Sequence, residues 1–178
     1  MSRPRHTGKL RHTGKPRHIG KPRPIDWSER LDPGANARRR LPQLVADYFA
    51  AVRGWLKGDP GPSALHQARL ASKHVRYTLE LFRPCYGPGL EARLAALRRV
   101  QQVLGEVNDA AATGRLLDKA QTAEVPHHQL AVKFLEARAE AKAQEFRQEW
   151  TEVFDAPGQL QWWTGYLAHY GRTPGRKA

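Results

Sequence analysis

The stretch Leu65-His66-Gln67-Ala68-Arg69-Leu70-Ala71-Ser72-Lys73-His74-Val75-Arg76-Tyr77-Thr78-Leu79-Glu80-Leu81-Phe82 carries the chain's most concentrated chemistry. At ~100° per residue on a helix, His66, Arg69, Lys73, Arg76 and Glu80 fall within an arc of roughly 80°. Three bases and a histidine then project as one column. Such a row attracts polyanions: arginine offers a planar fork to non-bridging oxygens, lysine a point charge. A histidine among them gains its proton more readily when an anion is near. Glu80, four residues after Arg76, is placed to pair with it and hold the fork. A solvated face is the bland reading of any charge run. Here Ala68, Ala71, Val75, Leu79 and Phe82 form an apolar face opposite the column, and Leu70, Tyr77 and Leu81 flank it on the other side. An ordinary amphipathic helix has one apolar stripe and a broad polar back. A narrow charged seam between apolar neighbours describes a partly enclosed groove.

The following segment steps by four and three through Leu90, Leu94, Leu97, Gln101 and Leu104. Gln101 stands where an apolar residue is expected, and a buried amide needs a partner. A hydrogen bond between helices is the favoured reading for it, ligand contact the other. Arg98 lies beside it, so the polar edge of this helix is expected to face the column.

These residues must be carried by helices. The chain has 178 residues, enough for one domain with its own core. The first helix is expected from about Arg39 to Lys57, after a linker over 25–37 with an Asp-Pro-Gly turn at 32–34. Asp59-Pro60-Gly61 breaks the chain, Ser63 is a candidate N-cap, and the second helix runs to about Phe82. Pro84 and Gly87 mark the next break, with Pro88 near the following helix start. Gly105 reads as the C-terminal cap of the third helix, and Asn108 or Asp109 as the cap of a fourth ending near Gln121. Pro126 opens a long fifth helix to about Phe154. No alternating β-type stretch occurs. The fold class is therefore all-α: an antiparallel bundle of four helices plus a long C-terminal helix, filling residues 38–178.

Ahead of it, Arg5-His6-Thr7-Gly8-Lys9-Leu10, Arg11-His12-Thr13-Gly14-Lys15-Pro16 and Arg17-His18-Ile19-Gly20-Lys21-Pro22 repeat with a period of six. Residues 1–24 hold five Arg, three Lys and no acid, the larger share of a formal net charge of +13. A disordered basic tail over 1–37, linker included, is expected, because so few apolar residues cannot repay the entropy of ordering. His6, His12 and His18 could hold a metal weakly, but a solvated arm is the preferred reading. Cys85 is the single cysteine, which excludes an internal disulfide and a multi-cysteine zinc site. It has no activating base in its turn and reads as a structural thiol. No apolar run reaches membrane-spanning length and no secretory signal opens the chain. The expected location is the cytoplasm.

The two central segments together resemble the CHAD family of histidine-containing α-helical domains. The resemblance rests on His66-x-x-Arg69-x-x-x-Lys73-x-x-Arg76-Tyr77 with Leu79-Glu80-Leu81-Phe82, then Leu97-Arg98-x-x-Gln101-x-x-Leu104-Gly105-x-x-Asn108-Asp109. Both motifs occur in order, one helical hairpin apart. The close match covers 65–109, and the helical layout extends it to roughly 38–155. The resemblance implies a bundle with a basic channel or groove that binds inorganic polyphosphate, found at polyphosphate granules. It assigns His66, Arg69, Lys73, Arg76 and Arg98 to the polyphosphate-facing positions, with Tyr77, Glu80, Gln101, Asn108 and Asp109 in support. Some members are joined to a triphosphate-tunnel barrel, but this chain has no Glu-x-Glu-x-Lys strand. It departs from the family in a second way. The usual domain has two related four-helix repeats, each with its own column, and this chain holds one, since His127 and His128 do not restart the motif. A homodimer that completes the two-repeat bundle is therefore expected.

Other classes fit less well. A nucleic-acid binder would use the basic tail, but the core offers few aromatics for stacking and no recognisable reading motif. An enzyme acting on phosphates would need clustered carboxylates for magnesium or a Gly-rich phosphate loop. Glu106, Asp109 and Asp118 are scattered, so no catalytic residue, cofactor or metal is expected. The aromatic end, Trp150 through Trp162-Trp163 and Tyr166, could dock a protein. A clasp that closes the chain's own core is preferred.

Overall fold

A computed structural model describes residues 25–57, 61–120 and 127–174. Among them there is no strand. The helices are α1 (Pro33–Leu56), α2 (Pro62–Leu81), the single turn α3 (Arg83–Tyr86), α4 (Glu91–Ala120), α5 (His128–Glu149) and α6 (Gln159–Tyr170). A 3-10 turn, Gly87–Leu90, leads into α4, and a π-helical turn, Trp150–Phe154, follows α5. The hexapeptide repeats and most of the Asp59-Pro60-Gly61 break lie outside the described residues.

The Asp-Pro-Gly at 32–34 is a helix start rather than a linker turn. Asp32 caps α1 by accepting from the Ala35 N–H at 2.8 Å. Pro33 occupies a first-turn position where its missing N–H costs nothing. Gly34 is there for space: a Cβ on it would stand 2.5 Å from the carbonyl carbon of Arg172. The residues just before are also tied down. Buried Asn36 donates to the Ser28 carbonyl at 2.8 Å, and the Trp27 ring packs 4.9 Å from Phe82. At α2, Gly61 takes the N-cap position and Ser63 lies inside the first turn.

Gly105 does not end a helix. α4 runs unbroken through it and through Asn108 and Asp109, so the expected third and fourth helices are one. A single interior glycine costs only about 1 kcal/mol. The helix is held on both sides, by α2 through Gln101 and Asn108 and by α5 through Arg99 and Glu106. The long fifth helix stops at Glu149 and is not the last: the chain turns at Gly158, whose φ is +85°, and returns as α6.

The core follows the periodicity of α1, α2 and α4. Leu41, Val45 and Phe49 of α1, Val75 and Leu79 of α2, and Leu90, Leu94, Leu97 and Leu104 of α4 are all buried. At one end an aromatic cluster closes it. Trp150 and Phe154 stack at 4.7 Å, with Tyr48, Phe49 and Trp163 packed around them. The π-helical turn makes this possible, since its bond from the Asp155 N–H to the Trp150 carbonyl at 2.7 Å resets the phase of the chain. The aromatic end is thus a clasp on the chain's own core, apart from Trp162, which is half exposed.

Arg93 fastens α6. It is buried, lies 3.4 Å from the centroid of Trp162 and 3.8 Å from that of Tyr166, and donates to the Trp162 carbonyl at 2.6 Å. Burial pulls its pKa down to about 10, so the guanidinium remains charged at neutral pH. Cation–π attraction and charge-assisted hydrogen bonds take the place of a carboxylate.

Candidate functional site

α2 and α4 lie side by side and run antiparallel. Three contacts fix their register. Glu80 faces Arg98, the Gln101 amide donates to the Ser72 carbonyl at 2.8 Å, and His66 Nδ1 meets Asn108 Oδ1 at 3.1 Å. Gln101 therefore makes the interhelical hydrogen bond. Ser72, unremarked in the sequence, is the knot below it. Its hydroxyl donates to the Ala68 carbonyl at 2.8 Å and accepts from the buried Tyr48 hydroxyl at 2.6 Å. One residue thus joins α1, α2 and α4 under the column. Burial raises the Tyr48 pKa well above its usual value of 10, so the phenol stays a donor.

On α2 the column edge borders α4. Arg76 donates to Glu80 at 2.9 Å, and its guanidinium lies 4.5 Å from the centroid of Tyr77. The Arg76 Nε is buried and has no hydrogen-bond partner among the described residues. Glu80 also lies 3.8 Å from Arg98, which donates to Glu91 at 2.8 Å, and Glu91 in turn pairs with Arg83 at 2.8 Å. Arg83 and Glu91 were not foreseen as part of this network. The flanking arginines hold the Glu91 carboxyl below its ordinary range, Arg98 first through its hydrogen bond. This end of the groove holds three guanidinium groups against two carboxylates.

At the other end, the Asn108 oxygen can only accept, so His66 donates to it from Nδ1. Beside this pair lies a cavity of about 350 Å³ with Leu65, Leu104 and Val107 in its walls and Arg115 at its edge. Arg115 was not among the expected residues. Gln101, Asn108 and Arg115 stand seven apart, which puts them on one helix face, but the expected break at Gly105 hid that spacing.

Between the two ends stand Arg69 and Lys73. Neither makes an ion pair or side-chain hydrogen bond among the described residues. Each is partly buried. Asp109 is exposed on α4 with no such partner either. The outer wall is apolar and open: Leu70, Tyr77 and Leu81 are 42, 53 and 73% exposed. The apolar residues flanking the α2 basic residues thus lie exposed to solvent. Cys85 is a buried free thiol whose pKa burial raises, and no group of three or more metal-ligating side chains occurs among the described residues.

The described residues form an all-α helical bundle with basic side chains along the edge of α2 that borders α4. The model of the CHAD domain family matches residues 10–118, more than half of the chain, and the chain belongs to that family. The match begins within the basic repeats and ends near the close of α4. CHAD domains are generally linked to polyphosphate binding. No curated protein and no solved structure matches the chain significantly.

Proposed function

We propose that this chain binds inorganic polyphosphate along the groove between α2 and α4. The observation that carries the reading is the state of the cations. Among the described residues Arg69 and Lys73 are partly buried without a counter-charge, next to an Arg76 whose Nε has no hydrogen-bond partner. Leaving such groups unpaired is costly, and an oxyanion repays it. A linear polyphosphate has no base to read and no ring to stack. It asks for cations in a row, and a helix column delivers one about every 5.4 Å. Arg98 adds a cation from the α4 side, and His66 extends the row toward Asn108. Tyr77 and Glu80 hold Arg76, Gln101 sets the spacing of the two helices, and Asp109 marks the acidic margin. No catalytic step is needed. We further propose that two copies pair across the open wall, and that the protein works in the cytoplasm at polyphosphate granules. Among the described residues no helix is long and apolar enough to cross a membrane.

The test is calorimetric titration with long-chain polyphosphate, and with duplex DNA of matched charge, of wild type and a Lys73→Ala/Arg76→Ala variant. Preferential binding of polyphosphate, weakened at least about tenfold in the variant and steeply by salt, is expected. Equal binding by both proteins would assign the attraction to the basic repeats and move the nucleic-acid reading ahead.

A further inference from the structure

The groove has one residue whose presence packing does not explain. Some glycines in the fold answer to a close neighbour: Gly34 admits the backbone of Arg172, and a Cβ on Gly89 would meet the Tyr166 hydroxyl at 2.6 Å. The helical Gly54, Gly105 and Gly165 have open space instead, and of these only Gly105 lies on α4 opposite α2. Gly105 lies mid-way along α4, where alanine is the better helix former, yet a Cβ there would meet nothing within 4 Å. Its place in the register is informative. α4 meets α2 at Ser72 through Gln101 and at His66 through Asn108. Gly105 lies between those two contacts, so it sits at the level of Arg69. Gly105 thereby leaves α4 without a side chain at the level of Arg69, whose guanidinium has no partner among the described residues.

We propose that Gly105 is the floor of a phosphate seat, a specificity-determining position that lets a bare polyphosphate chain lie against α4 within reach of Arg69 and Lys73. The inference rests on the polyphosphate reading and sharpens it. A nucleic-acid strand carries a sugar on every phosphate and cannot settle as deeply. The seat therefore favours an unsubstituted linear phosphate chain over other polyanions of equal charge. Side chains at 105 fill the seat without disturbing the core.

Gly105→Ala and Gly105→Gln are compared with Gly54→Ala, a helical glycine on α1 whose added Cβ is equally free of neighbours. Thermal melts and calorimetric titrations with polyphosphate and with single-stranded DNA of matched charge are the readouts. Both alanine variants raise the melting midpoint by roughly 2–4 °C. Gly54→Ala leaves polyphosphate affinity unchanged. Gly105→Ala weakens it, and Gly105→Gln weakens it by about tenfold, the loss of one charge-assisted contact, while DNA binding does not move. Wild-type affinity in both Gly105 variants, with the Lys73→Ala/Arg76→Ala variant impaired, overturns the seat and leaves the groove standing. An equal loss in Gly54→Ala also overturns it. A wild type that does not prefer polyphosphate to DNA overturns both readings.

Discussion

At the scale of single residues, the α2–α4 contact separates groups that hold the structure from groups without a partner among the described residues, and Ser72 shows how the two can be told apart. Its hydroxyl is the acceptor for Tyr48, which is 3% exposed and has no water to turn to. Its carbonyl, not its side chain, receives Gln101. Ser72→Ala therefore strands a buried phenol and is expected to cost about 1–3 kcal/mol. Tyr48→Phe removes the donor but leaves the serine hydroxyl satisfied by the Ala68 carbonyl, so it should cost less than about 1.5 kcal/mol. Urea unfolding of both variants checks the asymmetry. On the proposed reading polyphosphate affinity should be unchanged in each, because none of the three contacts that set α2 on α4 uses either hydroxyl. A larger loss in Tyr48→Phe than in Ser72→Ala would mean that the hydroxyl pair is not the knot described.

At the scale of elements, the sequence revealed which segments are helical better than where they join. The apolar face of α2 and the seam on α4 were legible because a periodicity of 3.6 shows wherever one face is buried. Joins were less legible, because the same residues serve two purposes. Gly105 resembles a cap, yet its cost inside a helix is small beside what packing on two neighbours supplies. Asn108, read as a cap for a new helix, spends its side chain on His66. Asp32-Pro33-Gly34 has the composition of a turn and of a helix start alike, and the fold chooses the start because the C-terminal segment lies across it. The Thr173 hydroxyl donates to the Asp32 carboxylate, and the Arg172 N–H donates to the Cys85 carbonyl at 2.8 Å. No local pattern announces a contact between residue 32 and residue 173. Its consequence is measurable. The bond from Thr173, then that from Ala35, lowers the Asp32 pKa below 3.8. Hydrogen bonds from Lys142 and Arg98 lower Glu106 and Glu91 likewise. A carboxyl depressed by folding contributes stability above its unfolded pKa and loses it as pH falls through the folded one. Stability should therefore decline below about pH 4, where the unfolded chain takes up more protons than the folded one. Asp32→Asn should be less stable than wild type at neutral pH, with the gap closing toward pH 2. A constant gap across denaturant titrations at these pH values would show that Asp32 acts only as a spacer.

At the scale of the molecule, charge and apolar surface stand side by side. Leu70, Tyr77 and Leu81, at 42, 53 and 73% exposed, border a column whose middle cations have no counter-charge among the described residues. Covering that wall with a second copy would bury the apolar stripe and set two cationic columns close together. Like charges at such separations oppose association, more so where water is excluded. A polyanion between the columns reverses the sign of that term, because each phosphate then faces cations on both sides. Pairing of copies should therefore depend on ligand: monomer alone, dimer with polyphosphate, at micromolar protein and moderate salt. Light scattering with and without polyphosphate measures this directly. Several monomers strung along one long chain would also raise the mass, so a variant must separate the cases. Leu81→Glu changes a side chain that is mostly in solvent and should leave the monomer's unfolding free energy within about 0.5 kcal/mol of wild type. It should abolish pairing on short polyphosphate while keeping one-to-one binding. A monomeric mass for the wild type under both conditions would rule out pairing across this wall, and the groove would then act as an open site on a single chain.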